Sequence, residues 1–91
     1  MRFEWDEAKN KRNIAKHGVD FDLAKGIFDG PVYSVFDTRD DYGEDRELSI
    51  GMISGVVFLT VIHTQRDIDL IRIISARKAT RLERTRYEEN L

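Results

Sequence analysis

Arg46-Glu-Leu-Ser-Ile-Gly-Met-Ile-Ser-Gly-Val-Val-Phe-Leu-Thr-Val-Ile-His-Thr64 is the stretch that decides the fold. Its first half alternates, with Leu48, Ile50 and Met52 on one side and Glu47, Ser49 and Gly51 on the other, the period of a half-buried strand. Val56 to Thr64 is strongly β-prone, and Ser54-Gly55 between the halves is a two-residue hairpin signal. A loop of that length pairs 53 with 56, so that 52 faces 57, 50 faces 59, 48 faces 61 and Arg46 faces His63. This register predicts an apolar face of Leu48, Ile50, Met52, Val57, Leu59 and Val61, covered by helices, with Arg46 and His63 at its rim beside the turn that carries Arg66.

Outward from the hairpin, the period changes at both ends. Phe3 and Trp5 read as a short entry strand, and Asp6 as the N-cap of a helix from Glu7 to His17, stopped by Gly18. Asp20 caps a second helix with Phe21, Ala24, Ile27 and Phe28 at helical spacing, ended by Asp29-Gly30-Pro31. Val32 to Phe36 is a short β run, followed by a polar loop containing Asp40, Asp41, Glu44 and Asp45. Leu70 to Arg77 is the last strand, and Thr80-Arg-Leu-Glu83 is a capping box that starts a C-terminal helix. The expected fold is α+β: a small antiparallel sheet with two N-terminal helices and a C-terminal helix, in one domain over residues 1–91. Strand alternation puts Arg72 on the face of Glu47 and Arg77 on the face of Ile71 and Ile73. Phe58, Ile62, Leu70 and Ile74 then form an apolar stripe, which either packs under the C-terminal helix or meets a partner.

Composition excludes several classes of function. With 41% apolar and 35% charged residues, the chain has an ordinary globular composition. It has no Cys, hence no disulfide, thiolate nucleophile or zinc-thiolate site, and the default location is cytoplasmic. No run of about 18 apolar residues or signal-peptide pattern points to a membrane. Its two His do not form a metal-binding spacing, and no cofactor is expected. The net charge of -2 hides an asymmetry, +2 over residues 1–19, -6 over 20–47 and +2 over 48–91. Six of the fifteen Lys and Arg fall within residues 70–91, namely Arg72, Arg77, Lys78, Arg81, Arg84 and Arg86. Arg grips phosphate through two hydrogen bonds and is always charged, so RNA or another phosphate ligand is the first expectation. Charges that merely interleave on a solvated surface explain the same counts.

Several blocks also match a known family in order. They are Phe3-x-Trp5-Asp6-x-x-Lys9-x-x-x-Asn13-x-x-Lys16-His17-Gly18-Val19, Val35-Phe36-Asp37, Arg46, Ile50-Gly51, Val61-Ile62-His63-Thr64-x-Arg66, and Ile71-Arg72-Ile73-Ile74-Ser75-Ala76-Arg77-x-Ala79, with Glu83 and Tyr87. The chain resembles the BrnT family of bacterial toxins over nearly its whole length. The resemblance implies a RelE-like ribonuclease toxin of a type II toxin-antitoxin system. It implies inhibition of translation by RNA degradation, neutralisation by a BrnA-type antitoxin, and contact with DNA only through that antitoxin. The competing reading is a non-catalytic module that binds nucleic acid or protein.

Metal-independent RNA cleavage needs a base for the 2′-hydroxyl proton, an acid for the leaving 5′-oxygen and fixed cations at the phosphate. Arg66, Arg72 and Arg77 are the candidate cations, and His17 and His63 the candidate acid and base. The plainer reading of His17 is a helix-terminal cap, and of His63 a satisfied strand-end side chain. Lys9, Lys16, Lys78 and Arg46 are candidate RNA contacts, whereas Asn13 reads as a fastener of loops. For the antitoxin, the candidates are the stripe Phe58, Ile62, Leu70 and Ile74, or the acidic loop from Asp37 to Glu47.

Overall fold

The hairpin forms between β3 (Glu47–Ile53) and β4 (Val57–Asp67), one residue out of the expected register. Residues 1–39 and 43–91 are described, in a computed structural model, so Asp40 and Asp41 of the acidic loop lie outside the described residues. Ser54 and Gly55 both adopt positive φ, 54° and 68°, and Val56 N–H closes the turn on Ile53 O at 3.1 Å. That is the expected two-residue turn, but the ladder pairs Ile53 with Val57 and leaves Val56 as an extra residue. A slip of one residue exchanges faces. Ser49 therefore sits opposite Val61 and Gly51 opposite Leu59, while Leu48, Ile50 and Met52 sit opposite Ile62, Thr60 and Phe58. His63 pairs with Glu47, not Arg46.

The sheet is mixed rather than antiparallel. Its order is β1-β5-β4-β3-β2, with β1 (Arg2–Glu4) running parallel to β5 (Leu70–Lys78) and β2 (Tyr33–Phe36) forming the other edge. A crossover through α1 (Glu7–His17) and the following elements lets the first strand return beside the last. Within β5 the ladder to β4 shifts between Ile62 and His63: Ile62 pairs with Ser75 and His63 with Ile73, so Ile74 is bulged. The bulge resets the alternation and corrects the expected split of the arginines. Arg72, opposite Thr64, and Arg77, opposite Thr60, share one face, and Ile71, Ile73 and Ala76 share the other.

Helices cover both faces. On the face of Val61 lie α1 and α2 (Phe21–Ala24), the latter passing directly into a 3-10 segment, Lys25–Asp29, instead of continuing as the longer second helix expected. Val19, Phe21, Ala24, Ile27, Leu59, Val61, Ile71, Ile73 and Ala76 form the core there. The 3-10 segment lies so close to β3 that a Cβ on Gly51 would stand 2.8 Å from Ile27 Cβ, which explains a glycine inside a strand. On the other face, α3 (Arg81–Asn90) lays Tyr87 edge-on against Phe58 at 5.4 Å and Arg84 over the same ring at 4.5 Å. The four expected caps are present: Asp6 accepts from Lys9 N–H, Gly18 takes φ 71°, Asp20 accepts from Asp22 N–H, and Thr80 and Glu83 close a reciprocal capping box. Among the described residues no helix is long and apolar enough to cross a membrane.

Candidate functional site

The face that α1 turns to the sheet is polar, and this shapes the site. Asn13 is buried: its Nδ2 donates to Val19 O and Ala76 O, both at 2.8 Å, and its Oδ1 accepts from Ala76 N–H at 3.2 Å and Ser75 Oγ at 3.4 Å. Asn10 fastens the next loop, donating to Asp20 Oδ1 and accepting from Phe21 N–H. Helical spacing then places Lys9, Arg12, Lys16 and His17 around Asn13. Together with Ile74 and Ser75 at the β5 bulge they line a cleft of about 310 Å³. Three cations and one imidazole on one helix face can hold a phosphate and move a proton.

The other candidate cations are already engaged. Arg77 holds Glu83 through two hydrogen bonds, 2.7 and 2.9 Å, and the same carboxylate accepts from Thr60 Oγ1 and Thr80 N–H. Burial alone would raise the Glu83 carboxyl, but the hydrogen bonds from Arg77, Thr80 and Thr60 and the charge of Arg77 hold it down at about 2. Arg72 donates to Glu4 at 2.7 Å across the parallel pair. Arg66 and Arg46 both approach Glu44, at 3.6 and 3.4 Å, beside a second cleft of about 520 Å³ lined by Phe36, Glu44, Asp45, Glu47, Thr64, Gln65 and Arg66. By contrast Lys9, Arg12 and Lys16 make no ion pair within 4.0 Å among the described residues. Lys78 is exposed at the end of β5 opposite Leu59, away from both clefts.

His63 is not at a rim. It is 4% exposed, its ring meets the edge of Phe28 at 5.0 Å, and burial pushes its pKa down to about 4. Its Nε2 lies 2.7 Å from Ser49 Oγ, which lies 2.6 Å from Ser34 Oγ, while Nδ1 is buried without a partner among the described residues. The apolar stripe is also broken up. Ile62 is 7% exposed, Phe58 is held by Tyr87 and Arg84, Leu70 sits at the β4–β5 turn and Ile74 lines the α1 cleft. Sequence reasoning named Lys9, Lys16 and His17 of this cleft but not Arg12 or Ser75. Arg12 was legible, since it stands three after Lys9 and four before Lys16; Ser75 depends on the bulge.

A small α+β protein that presents unpaired cations and a histidine in one cleft is of the kind that handles RNA, and comparison with known proteins gives the class. The model of the ribonuclease toxin, BrnT, of type II toxin-antitoxin systems matches residues 5–83. The chain belongs to the BrnT family, and is a ribonuclease toxin with an RNA substrate and an antitoxin partner. Its fold is similar to the crystal structure of the Brucella abortus ribonuclease toxin BrnT, with a TM-score of 0.66 and 31% sequence identity over 89% of this chain and 99% of that one. No curated protein matches the chain.

Proposed function

We propose that this toxin cuts RNA without a metal ion, in the cleft between α1 and β5. Lys9, Arg12 and Lys16 hold the phosphates; the 2′-hydroxyl loses its proton to water as its oxygen bonds the phosphorus, and His17 protonates the 5′-oxygen as the P–O5′ bond breaks. The observation that carries this reading is that these three cations line a cleft and have no carboxylate within ion-pair distance, whereas Arg66, Arg72 and Arg77 each have one. An arginine held by a carboxylate must give up that partner before it can take a phosphate; an unpaired one need not. On this reading Arg77 is a structural tie between β5 and α3, and His63 a buried packing group. Residues 1–91 act as one RelE-like domain in the cytoplasm, where cleavage of RNA inhibits translation. A BrnA-type antitoxin neutralises the toxin and brings it to DNA.

The test is RNA cleavage in excess EDTA. His17→Ala and the double variant Lys9→Ala, Lys16→Ala are expected to lose about 100-fold or more in rate, the usual scale of a lost acid or phosphate clamp. Arg66→Ala and Arg72→Ala are expected to stay within several-fold of wild type. Cleavage that survives His17→Ala but is abolished by Arg66→Ala would move the site to the other cleft, and a requirement for added magnesium would overturn the metal-free step.

A further inference from the structure

The two edges of the sheet are protected very differently. An edge strand presents unpaired backbone groups to any passing strand, and proteins blunt such edges with charges or Pro. At β1 this is done: Arg2 pairs with Asp69 at 2.9 Å and Glu4 with Arg72 at 2.7 Å. The opposite edge, β2, reads Tyr33-Ser-Val-Phe36 and carries no charge at all. Three of its four residues are exposed, Phe36 by 66% and Val35 by 39%.

Its outward groups follow from the ladder. Asp37 N–H donates to Arg46 O at 2.7 Å, so Asp37 and Arg46 form a hydrogen-bonded pair. By the alternation of an antiparallel ladder, Val35 and Tyr33 then bond to β3, while Ser34 and Phe36 turn their N–H and C=O groups outward. No other strand pairs with this edge among the described residues. Beside Phe36 opens the 520 Å³ cleft, lined by Glu44, Asp45 and Glu47 against one cation, Arg66. Arg46 also reaches Glu44, at 3.4 Å, so three carboxylates stand against two guanidiniums, and the remaining negative charge disfavours RNA and favours a positively charged partner.

We infer that β2 and the adjoining acidic cleft are the docking surface for the antitoxin, which adds an extended strand to β2 and places a Lys or Arg side chain in the cleft beside Phe36. Strand addition takes its affinity from the outward backbone groups of Ser34 and Phe36, and its specificity from that cation and from an apolar contact with Phe36. This rests on the family's antitoxin partner and not on the assignment of the RNA cleft. The surface lies on β2, β3 and the Thr64–Arg66 end of β4, whereas the proposed RNA cleft lies on α1 and β5 and shares no lining residue with it.

The experiment measures affinity of the full-length toxin for the cognate antitoxin by calorimetry. Phe36→Pro removes an outward N–H without touching the β3 ladder, and Phe36→Lys adds the charge that blunts edges and repels a cationic side chain. Both are expected to weaken antitoxin binding by at least about tenfold, as for loss of a central interface contact. RNA cleavage in the absence of antitoxin is expected to stay at the wild-type rate, and Leu82→Lys, an equally exposed apolar position on α3, to bind normally. If Phe36→Pro does not fold, Phe36→Lys decides alone. Unchanged antitoxin affinity in a folded Phe36→Lys variant overturns the proposal. So does a wild-type toxin that self-associates through β2, shown by a dimer that Phe36→Lys dissociates while antitoxin binding persists. Loss of cleavage by wild-type protein itself would instead count against the RNA cleft, and leaves the docking measurement intact.

Discussion

Asn13 shows how one polar side chain can carry a helix-sheet contact. Four hydrogen bonds join α1, the loop after it and β5, so the amide does the work that a leucine stripe does elsewhere. Asn13→Ala leaves Ala76 N–H, Ala76 O and Val19 O buried and unmatched, and is expected to cost about 2–4 kcal/mol in urea denaturation. A cost below about 1 kcal/mol would mean that water replaces the amide. His63 gives a second prediction, in pH. The unfolded chain takes up its proton near 6.5 and the folded chain only near 4, so between those values the unfolded state binds more protons. Stability attributable to this group is complete above about pH 6.5 and falls as pH drops towards 4, by about 3 kcal/mol at most. His63→Gln keeps a partner for Ser49 but does not titrate, and should flatten stability against pH in that window; an unchanged slope would assign it to other groups.

Local signals at element ends are short-range, and they were legible. Asp6, Gly18, Asp20 and the Thr80–Glu83 box act on backbone groups within a few residues, so reading the sequence locates them. Glu83 does more than cap, because the same carboxylate receives Arg77 and Thr60. Thr80→Ala is therefore expected to cost about 1 kcal/mol, the usual loss of a cap, and Glu83→Ala about 2–3 kcal/mol, since Arg77 is left half-buried and unmatched. Equal losses in thermal denaturation would show that Arg77 gains little from the pair. The register was not legible, for a physical reason. Val56 and Ile74 are β-prone residues that nothing local marks as extra, and each is displaced because the side chains on either side must meet their own layer. Ser49 and Gly51 turn inward because the 3-10 segment packs against β3, and that contact joins residues far apart in sequence. The expected separation of Arg72 from Arg77 failed for the same reason, as did the expectation of His63 at a rim.

Across the whole molecule, the charge is sorted by element. Among the described residues of 20–47, the acidic side chains lie at α2 and at the β2–β3 end of the sheet, while α1 presents Lys9, Arg12 and Lys16 at the β5 side. A protein with a net charge of -2 can then bind RNA only through a local patch, and the patch is small. Each phosphate neutralised on a single strand contributes about -0.7 to the slope of log K against log salt, so three cations predict a slope of about -2. Lys16→Ala should reduce the magnitude of that slope by about 0.7, and Arg72→Ala should leave it unchanged because Glu4 already neutralises that guanidinium. The measurement uses a 2′-O-methyl RNA, which binds but lacks the attacking hydroxyl, titrated by fluorescence anisotropy across a salt series. A slope that falls for Arg72→Ala but not for Lys16→Ala would place the RNA on the α3 face of the sheet. A slope much steeper than -2 would mean that cations beyond α1, such as Arg81 and Arg86 on α3, also meet the strand.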